Sequence, residues 1–247
     1  IWGASFLFMR VAVPMIGPTW LLELRLISAA LFIFVVSLWM HRSLDVKRYW
    51  RHYLFLGFFN TAVPFFAIAW GAQQLPASVL SVINATAPLC GIVVGVVWRR
   101  KPVTTRAILG LVCGTAGVAA LVGLGQRGFA AAQVTAVLVA MSAPVCYAIA
   151  SSYAEYAERV PSFANAHGSL WAAVIVMAPL MAVAPVPAAW PATAIVSAVI
   201  LGVVCSGVAY LLYFHLVSTV GAASALTVGY LIRLFVIVGL PGQSVGN

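Results

Sequence analysis

Apolar runs long enough to cross a membrane follow one another along almost the whole chain, separated by short polar connectors. A hydrocarbon core of about 30 Å needs about 20 apolar helical residues to cross it. The runs at 1–16, 19–40, 53–74, 77–98, 104–123, 130–151, 162–184, 191–214 and 222–240 match or approach that length. Gly and Pro occur inside them, and membrane helices tolerate both. The pattern predicts an all-α polytopic membrane protein with about nine helices present. It also repeats. At an offset of 145, Leu56-Gly57 falls on Leu201-Gly202, Thr61-Ala62 on Ser206-Gly207, Val63 on Val208, Ala77 on Ala222 and Trp2 on Tyr147. Five spans precede the second copy, an odd number, so the second copy is inverted relative to the first. The expected domains are one repeat at 1–125 and an inverted repeat at 126–247. On this offset the first helix lacks its start, and the partner of span 104–123 would begin just past Asn247. The expectation is a fragment without its tenth helix.

Composition agrees with the membrane reading. Hydrophobic residues make up 64% of the chain and charged residues 7%, with a mean hydropathy of +1.09. A soluble domain carries about 25% charged residues. The net charge of +9 is concentrated in alternate connectors: Arg42, Lys47, Arg48 and Arg51 in one, and Arg99, Arg100, Lys101 and Arg106 in another. The connectors around Leu75-Pro76 and Gly125–Gly128 carry only Arg127. That is the positive-inside pattern. It places the basic connectors and the N-terminus in the cytoplasm, and it accounts for the charge without a nucleic-acid partner. The expected partners are the lipid bilayer and a small-molecule substrate, and oligomeric state is not encoded in any feature of the sequence. Cys90, Cys113, Cys146 and Cys205 lie inside apolar runs with no CxxC spacing. They read as small buried hydrophobes, and no metal or cofactor is expected.

Short motifs sharpen the class. Trp2-Gly3-Ala4-Ser5-Phe6, Leu24-Arg25-Leu26, Leu75-Pro76-Ala77-Ser78, Asn84-Ala85-Thr86-Ala87-Pro88 and Gly114-Thr115-Ala116-Gly117-Val118 stand in the first half. Leu201-Gly202-Val203, Ala209-Tyr210 and Gly221-Ala222-Ala223-Ser224-Ala225 stand in the second. In order and spacing this set resembles the EamA repeat of the drug/metabolite transporter superfamily. The resemblance implies ten helices in two inverted five-helix repeats in the inner membrane. It further implies a secondary transporter that moves small organic metabolites, amino acids or related amphiphiles, by alternating access, with export the commoner direction. It also implies a structural arginine at Arg25. Inverted repeats in general place the substrate site between the copies near the bilayer midplane. The chain departs from the pattern at Arg233, where the family has a proline. This residue reads either as a clamp for an anionic substrate or as the mark of a frameshift, in which case the chain is a non-functional remnant. A proton-coupled drug exporter is a further alternative, although no span carries a carboxylate at mid-depth. The chemistry of an embedded enzyme is also missing: there are no paired acids and no Ser/His couple, and Lys47 and Lys101 both lie in connectors.

The candidate cavity residues follow from polarity inside apolar spans. Asn60 and Pro64 are four apart, hence on one helical face, and Asn84 and Pro88 repeat that spacing. Pro frees a backbone carbonyl, and Asn supplies an uncharged amide. The alternative for each Asn is an interhelical hydrogen bond. Trp2 and Phe6 share a face of the first helix, and Tyr147, Tyr210 and Tyr230 lie deep in the second copy. By contrast Trp39, Trp50, Trp98 and Trp190 fall at span ends, as interfacial aromatics do. Glu23 and Arg25 are expected in an ion pair near the outer end of the second helix, with Arg10 as another partner. His167 is expected to hydrogen-bond a neighbour, and His52 to have no function.

Overall fold

The computed structural model describes residues 2–99 apart from Ser43, a few positions between 105 and 116, and residues 131–212 apart from Glu155. The spans expected at 104–123 and 222–240, together with Tyr230 and Arg233, lie outside the described residues. Within them the chain is helical and folds as a multi-pass membrane protein. Six helical stretches are long and apolar enough to cross a bilayer. Large apolar side chains stud the outside, among them Val35, Leu38, Val97, Leu138 and Ile175. An aqueous protein would not leave such a surface uncovered. Trp39, Trp50, Trp98 and Trp190 are all exposed.

Helix α1 runs from Trp2 to Trp39, and Gly17 divides it. Gly17 has φ 76° and ψ 161°, a conformation that a residue with a Cβ adopts only under strain. A Cβ built there meets nothing within 4 Å, so the requirement for glycine comes from the backbone alone. Pro18 follows and cannot donate a helical hydrogen bond. The break falls in the gap between the first two expected spans and leaves two arms, 2–16 and 18–39.

Helix α2 (Val46–Leu56) continues through a π-helical turn, Gly57–Ala62, into α3 (Val63–Gly71). Helices α4 (Ala77–Asn84) and α5 (Ala87–Arg99) form one span bent at Ala85-Thr86. Then come α6 (Ala131–Ala154), α7 (Ser162–Val183) and α8 (Ala192–Gly202), the last running into a second π-helical turn, Val203–Val208. In the first π turn the Val63 N–H reaches back to the Phe58 carbonyl, and in the second the Ala209 N–H reaches back to the Val204 carbonyl.

Two helix crossings hold these elements together, and they correspond atom for atom. A Cβ on Gly57 would stand 2.9 Å from the Ser169 carbonyl oxygen, 2.7 Å from the Ala172 Cβ and 2.9 Å from the Ala173 nitrogen. A Cβ on Gly202 would stand 2.4 Å from the Arg25 carbonyl oxygen, 2.5 Å from the Ser28 Cβ and 3.0 Å from the Ala29 nitrogen. The element bearing Gly57 thus lies on α7, and the element bearing Gly202 lies on the 18–39 arm of α1, through the same three atoms in the same order. Small residues admit such backbone contact between membrane helices.

Apolar packing forms two cores. One gathers Met9, Ile16, Leu21, Leu80, Ala140, Leu201 and Cys205. The other gathers Leu26, Ile33, Phe65, Leu170, Met177 and Tyr210. Tyr147 packs against both.

Replacing Gly202 by Val places a branched side chain where even one carbon does not fit. Overpacking of this kind costs about 1–3 kcal/mol. We expect a clear fall in the melting temperature of the detergent-solubilised protein, followed by size-exclusion after heating. Gly91→Ala, where the added carbon meets nothing within 4 Å, leaves that temperature unchanged or higher.

Candidate functional site

The two π turns carry the most deeply buried hydroxyls of the bundle. Thr61 and Ser206 are both 0% exposed. At 1.5 Å per residue, Thr61 lies about 20 Å along its helix from the start of α2, and Ser206 about 20 Å from the start of α8. Thr61 therefore lies a little past the middle of its span, and Ser206 about two-thirds of the way along its own. A π turn adds one residue to a helical turn, and such turns often mark functional sites.

Each hydroxyl makes one long-range hydrogen bond. The Thr61 Oγ1 and the Tyr210 hydroxyl lie 3.2 Å apart. Arg25 donates from Nε to the Ser206 Oγ at 2.9 Å, and Ser206 in turn donates to the Leu201 carbonyl at 3.1 Å. The Arg25 guanidinium also lies over the Phe65 ring, 4.0 Å from its centroid. Tyr147, Tyr210 and Cys205 are the ionisable side chains around it. Arg25, Ser206, Thr61, Tyr210, Phe65 and Tyr147 thus form one buried group at the seam of the two cores.

This placement overturns the expected Glu23–Arg25 interfacial pair. Arg25 is buried and reaches across to α8, while the Glu23 Oε2 is buried with no hydrogen-bond partner. The reason is helical geometry: residues two apart point about 200° apart around the axis. A charged arginine at the centre of a span costs about 2.5–3.5 kcal/mol on insertion scales, an upper bound for Arg25, which stands in the first two turns of its arm. A hydrogen bond from a charged donor returns about 1.5–3 kcal/mol, and a desolvated cation–π contact up to about 2 kcal/mol. Together these are enough to hold Arg25 in place.

The other candidates are more dispersed. Pro64 is fully buried in the first turn of α3, and Asn60 is half-buried within the first π turn. Asn84 ends α4 at the bend, and its Oδ1 is buried without a partner, so the expected interhelical bond is not made through that atom. Pro88, near the start of α5, is exposed. Trp2 and Phe6 belong to α1, but their side chains lie outside the described set. His167 makes no hydrogen bond from either ring nitrogen, contrary to expectation. Its ring neighbours are Phe34 and Phe163, with centroids 6.2 Å and 6.0 Å away. The imidazole packs as an aromatic.

Both ends of the bundle are tied between the two halves. At the end bearing the basic connector 40–45, Arg48 pairs with Glu158, and the His52 Nε2 lies 3.2 Å from the Asn165 Oδ1. Phe55 stacks on Tyr153 at 4.0 Å. His52, expected to have no role, is part of this contact. At the opposite end the Trp20 Nε1 donates to the Pro185 carbonyl at 2.9 Å, and its ring meets Trp190 edge-on at 5.2 Å. A cavity of about 250 Å³ at that end is lined by Met9, Arg10, Gln73, Gln74 and Leu80.

Membrane helices thus enclose a buried polar group that joins the first half of the chain to the second. Residues 1–123 match the EamA-like transporter family, and the chain is a member of that family across its first half. It is 26% identical over 153 residues to the uncharacterized transporter YvbV of Bacillus subtilis (strain 168). That match covers 62% of this chain and 50% of the relative, so the chain spans about half the length of the curated relative it matches. A protein known from its crystal structure shares the fold at a TM-score of 0.66 and 19% identity. The likeness covers 98% of this chain and 88% of that one.

The Thr61–Tyr210 bond is open to a double-mutant cycle. Hydrogen bonds between membrane helices average about 0.6 kcal/mol and reach about 1.7 kcal/mol. Thr61→Val, Tyr210→Phe and the double variant should give a coupling within that range, read from denaturant unfolding in detergent. A coupling near zero would show that the two hydroxyls do not bond.

Proposed function

We propose that the chain is a secondary transporter for small organic metabolites, amino acids or related amphiphiles, that works mainly in export by alternating access. It is built as two inverted repeats, 1–125 and 126–247, in the inner membrane. The basic connectors and the N-terminus face the cytoplasm. The observation that carries this reading is the pair of matched crossings, Gly57 on α7 and Gly202 on the 18–39 arm of α1. Each half lends its third span to the second span of the other half, which is how an inverted pair sharing one axis would interlock. The polar group around Arg25 lies between these crossings, with ties closing both ends of the bundle.

In this mechanism the two halves rock about the crossings, and the ties at one end open while those at the other hold. The substrate passes through a central cavity whose walls include Asn60, Pro64, Asn84, Pro88, Tyr147 and Tyr210. Trp2, Phe6 and Tyr230 complete it. Pro64 and the bend at Ala85-Thr86 give the walls places to flex.

Reconstitution of the full chain into proteoliposomes loaded with a mixed pool of amino acids and organic acids tests the proposal. Protein-dependent loss of one or more solutes is expected. Asn84→Leu should abolish that loss while membrane abundance stays unchanged. An unaltered rate in Asn84→Leu would remove Asn84 from the cavity, and a pool that never changes would remove the transport reading.

A further inference from the structure

Arg25 has more donors than the protein uses. A guanidinium offers five N–H groups, and among the described residues only Nε has an acceptor, the Ser206 hydroxyl. The four N–H groups on the two terminal nitrogens have none there. Among the described residues no carboxylate reaches them. The chain contains four acidic residues. Asp45 lies in the connector before α2 and Glu158 pairs with Arg48, while Glu155 lies outside the described residues. Glu23 points to another side of the helix that carries Arg25. A cation 5% exposed thus sits at the seam of the two cores with no anion among the described residues to balance it.

We propose that Arg25 is the anion-recognition residue of the transport site, and that the substrates it selects are small amphipathic monocarboxylates. This rests on the transport reading given above. The planar guanidinium fork matches the two oxygens of a carboxylate. Ser206 fixes Nε and the Phe65 ring fixes the plane, so the terminal nitrogens are oriented before any ligand arrives, and little ordering cost is left for binding. Phe65, Tyr147 and Tyr210 give the surroundings an aromatic character that suits an apolar or aromatic body. One cation with no nearby acid among the described residues is neutralised by a monoanion.

The test compares phenylacetate with phenylacetamide, which share a ring and a carbon skeleton and differ in charge. Binding to the purified full chain in low-salt buffer is read by calorimetry. We expect phenylacetate to bind at least tenfold more tightly than the amide. In Arg25→Gln the two probes should bind within about twofold of each other, whereas Arg25→Lys, which keeps the charge, should retain a preference for the carboxylate. An arginine that only supports the fold would weaken both probes together with the melting temperature. Equal binding to the unmodified protein, no phenylacetate binding at millimolar concentration, or a preference that survives Arg25→Gln each overturns the proposal. Should Arg25→Gln fail to fold, Ser206→Ala serves: it should weaken phenylacetate several-fold and leave the amide unchanged, and unaltered phenylacetate binding there overturns the proposal. Binding requires no transport, so the two readings fail separately. Phenylacetate that binds through Arg25 but never crosses proteoliposomes sinks transport alone. Transport of neutral solutes without any carboxylate preference sinks the anion site alone.

Discussion

The contact on which the rest of this structure depends is backbone against backbone, where Gly202 lies on the Arg25 carbonyl and the Ser28 and Ala29 positions. Lipid tails are as apolar as leucine, so helices in a bilayer gain little by hiding apolar surface from one another. What remains is close packing, and a glycine gives the closest. This crossing also positions chemistry. Ser206 lies four residues beyond Gly202 and so near the same face of its helix. The approach that seats Gly202 on the Arg25 backbone therefore brings the Arg25 side chain within reach of the Ser206 hydroxyl. Packing and polar recognition are here two results of one geometry.

The π turns add the second element. Each inserts a residue at or directly after a crossing glycine and rotates the remainder of its span relative to an ordinary helix. Thr61 and Ser206 thereby point inward while the flanking apolar residues keep to the lipid or the cores.

Much of the fold was legible because lipid imposes strong rules on sequence. Length and apolarity mark the spans, and Gly17-Pro18 marks the first break, since no other pair both permits a positive φ and withholds a donor. The Leu-Gly pairs shared between the halves turned out to be the crossing points, visible only as a weak coincidence of letters. The site was less legible. Counting residues along the helix put Arg25 in the first two turns of its arm, which holds for the Cα and misleads for a side chain that extends sideways to Ser206. Helical hydrogen-bond register leaves no composition signal, so the π turns could not be foreseen. His52 and His167 were read from their own spans alone, whereas their roles depend on residues more than a hundred positions away in one case and on two aromatic rings in the other.

The ties at the two ends of the bundle differ in kind, and the difference bears on the proposed rocking motion. At the basic end the Arg48–Glu158 pair is more than half exposed on both sides, 66% and 54%, and exposed pairs contribute about 0–1 kcal/mol. The His52–Asn165 contact is a single hydrogen bond, and the Phe55–Tyr153 stack adds an aromatic pair of about 0.5–1.5 kcal/mol beyond its buried area. Among the described residues the opposite end is held by the Trp20–Pro185 hydrogen bond, the Thr193 hydroxyl on the Met15 sulfur and one Trp–Trp edge contact. The Gly57 and Gly202 crossings differ from both sets, because backbone and Cβ atoms there leave no room for a side chain. In the proposed motion the bundle would yield first at its ends and last at its middle. That is the order alternating access requires, because the site between the halves must stay assembled while first one end and then the other opens.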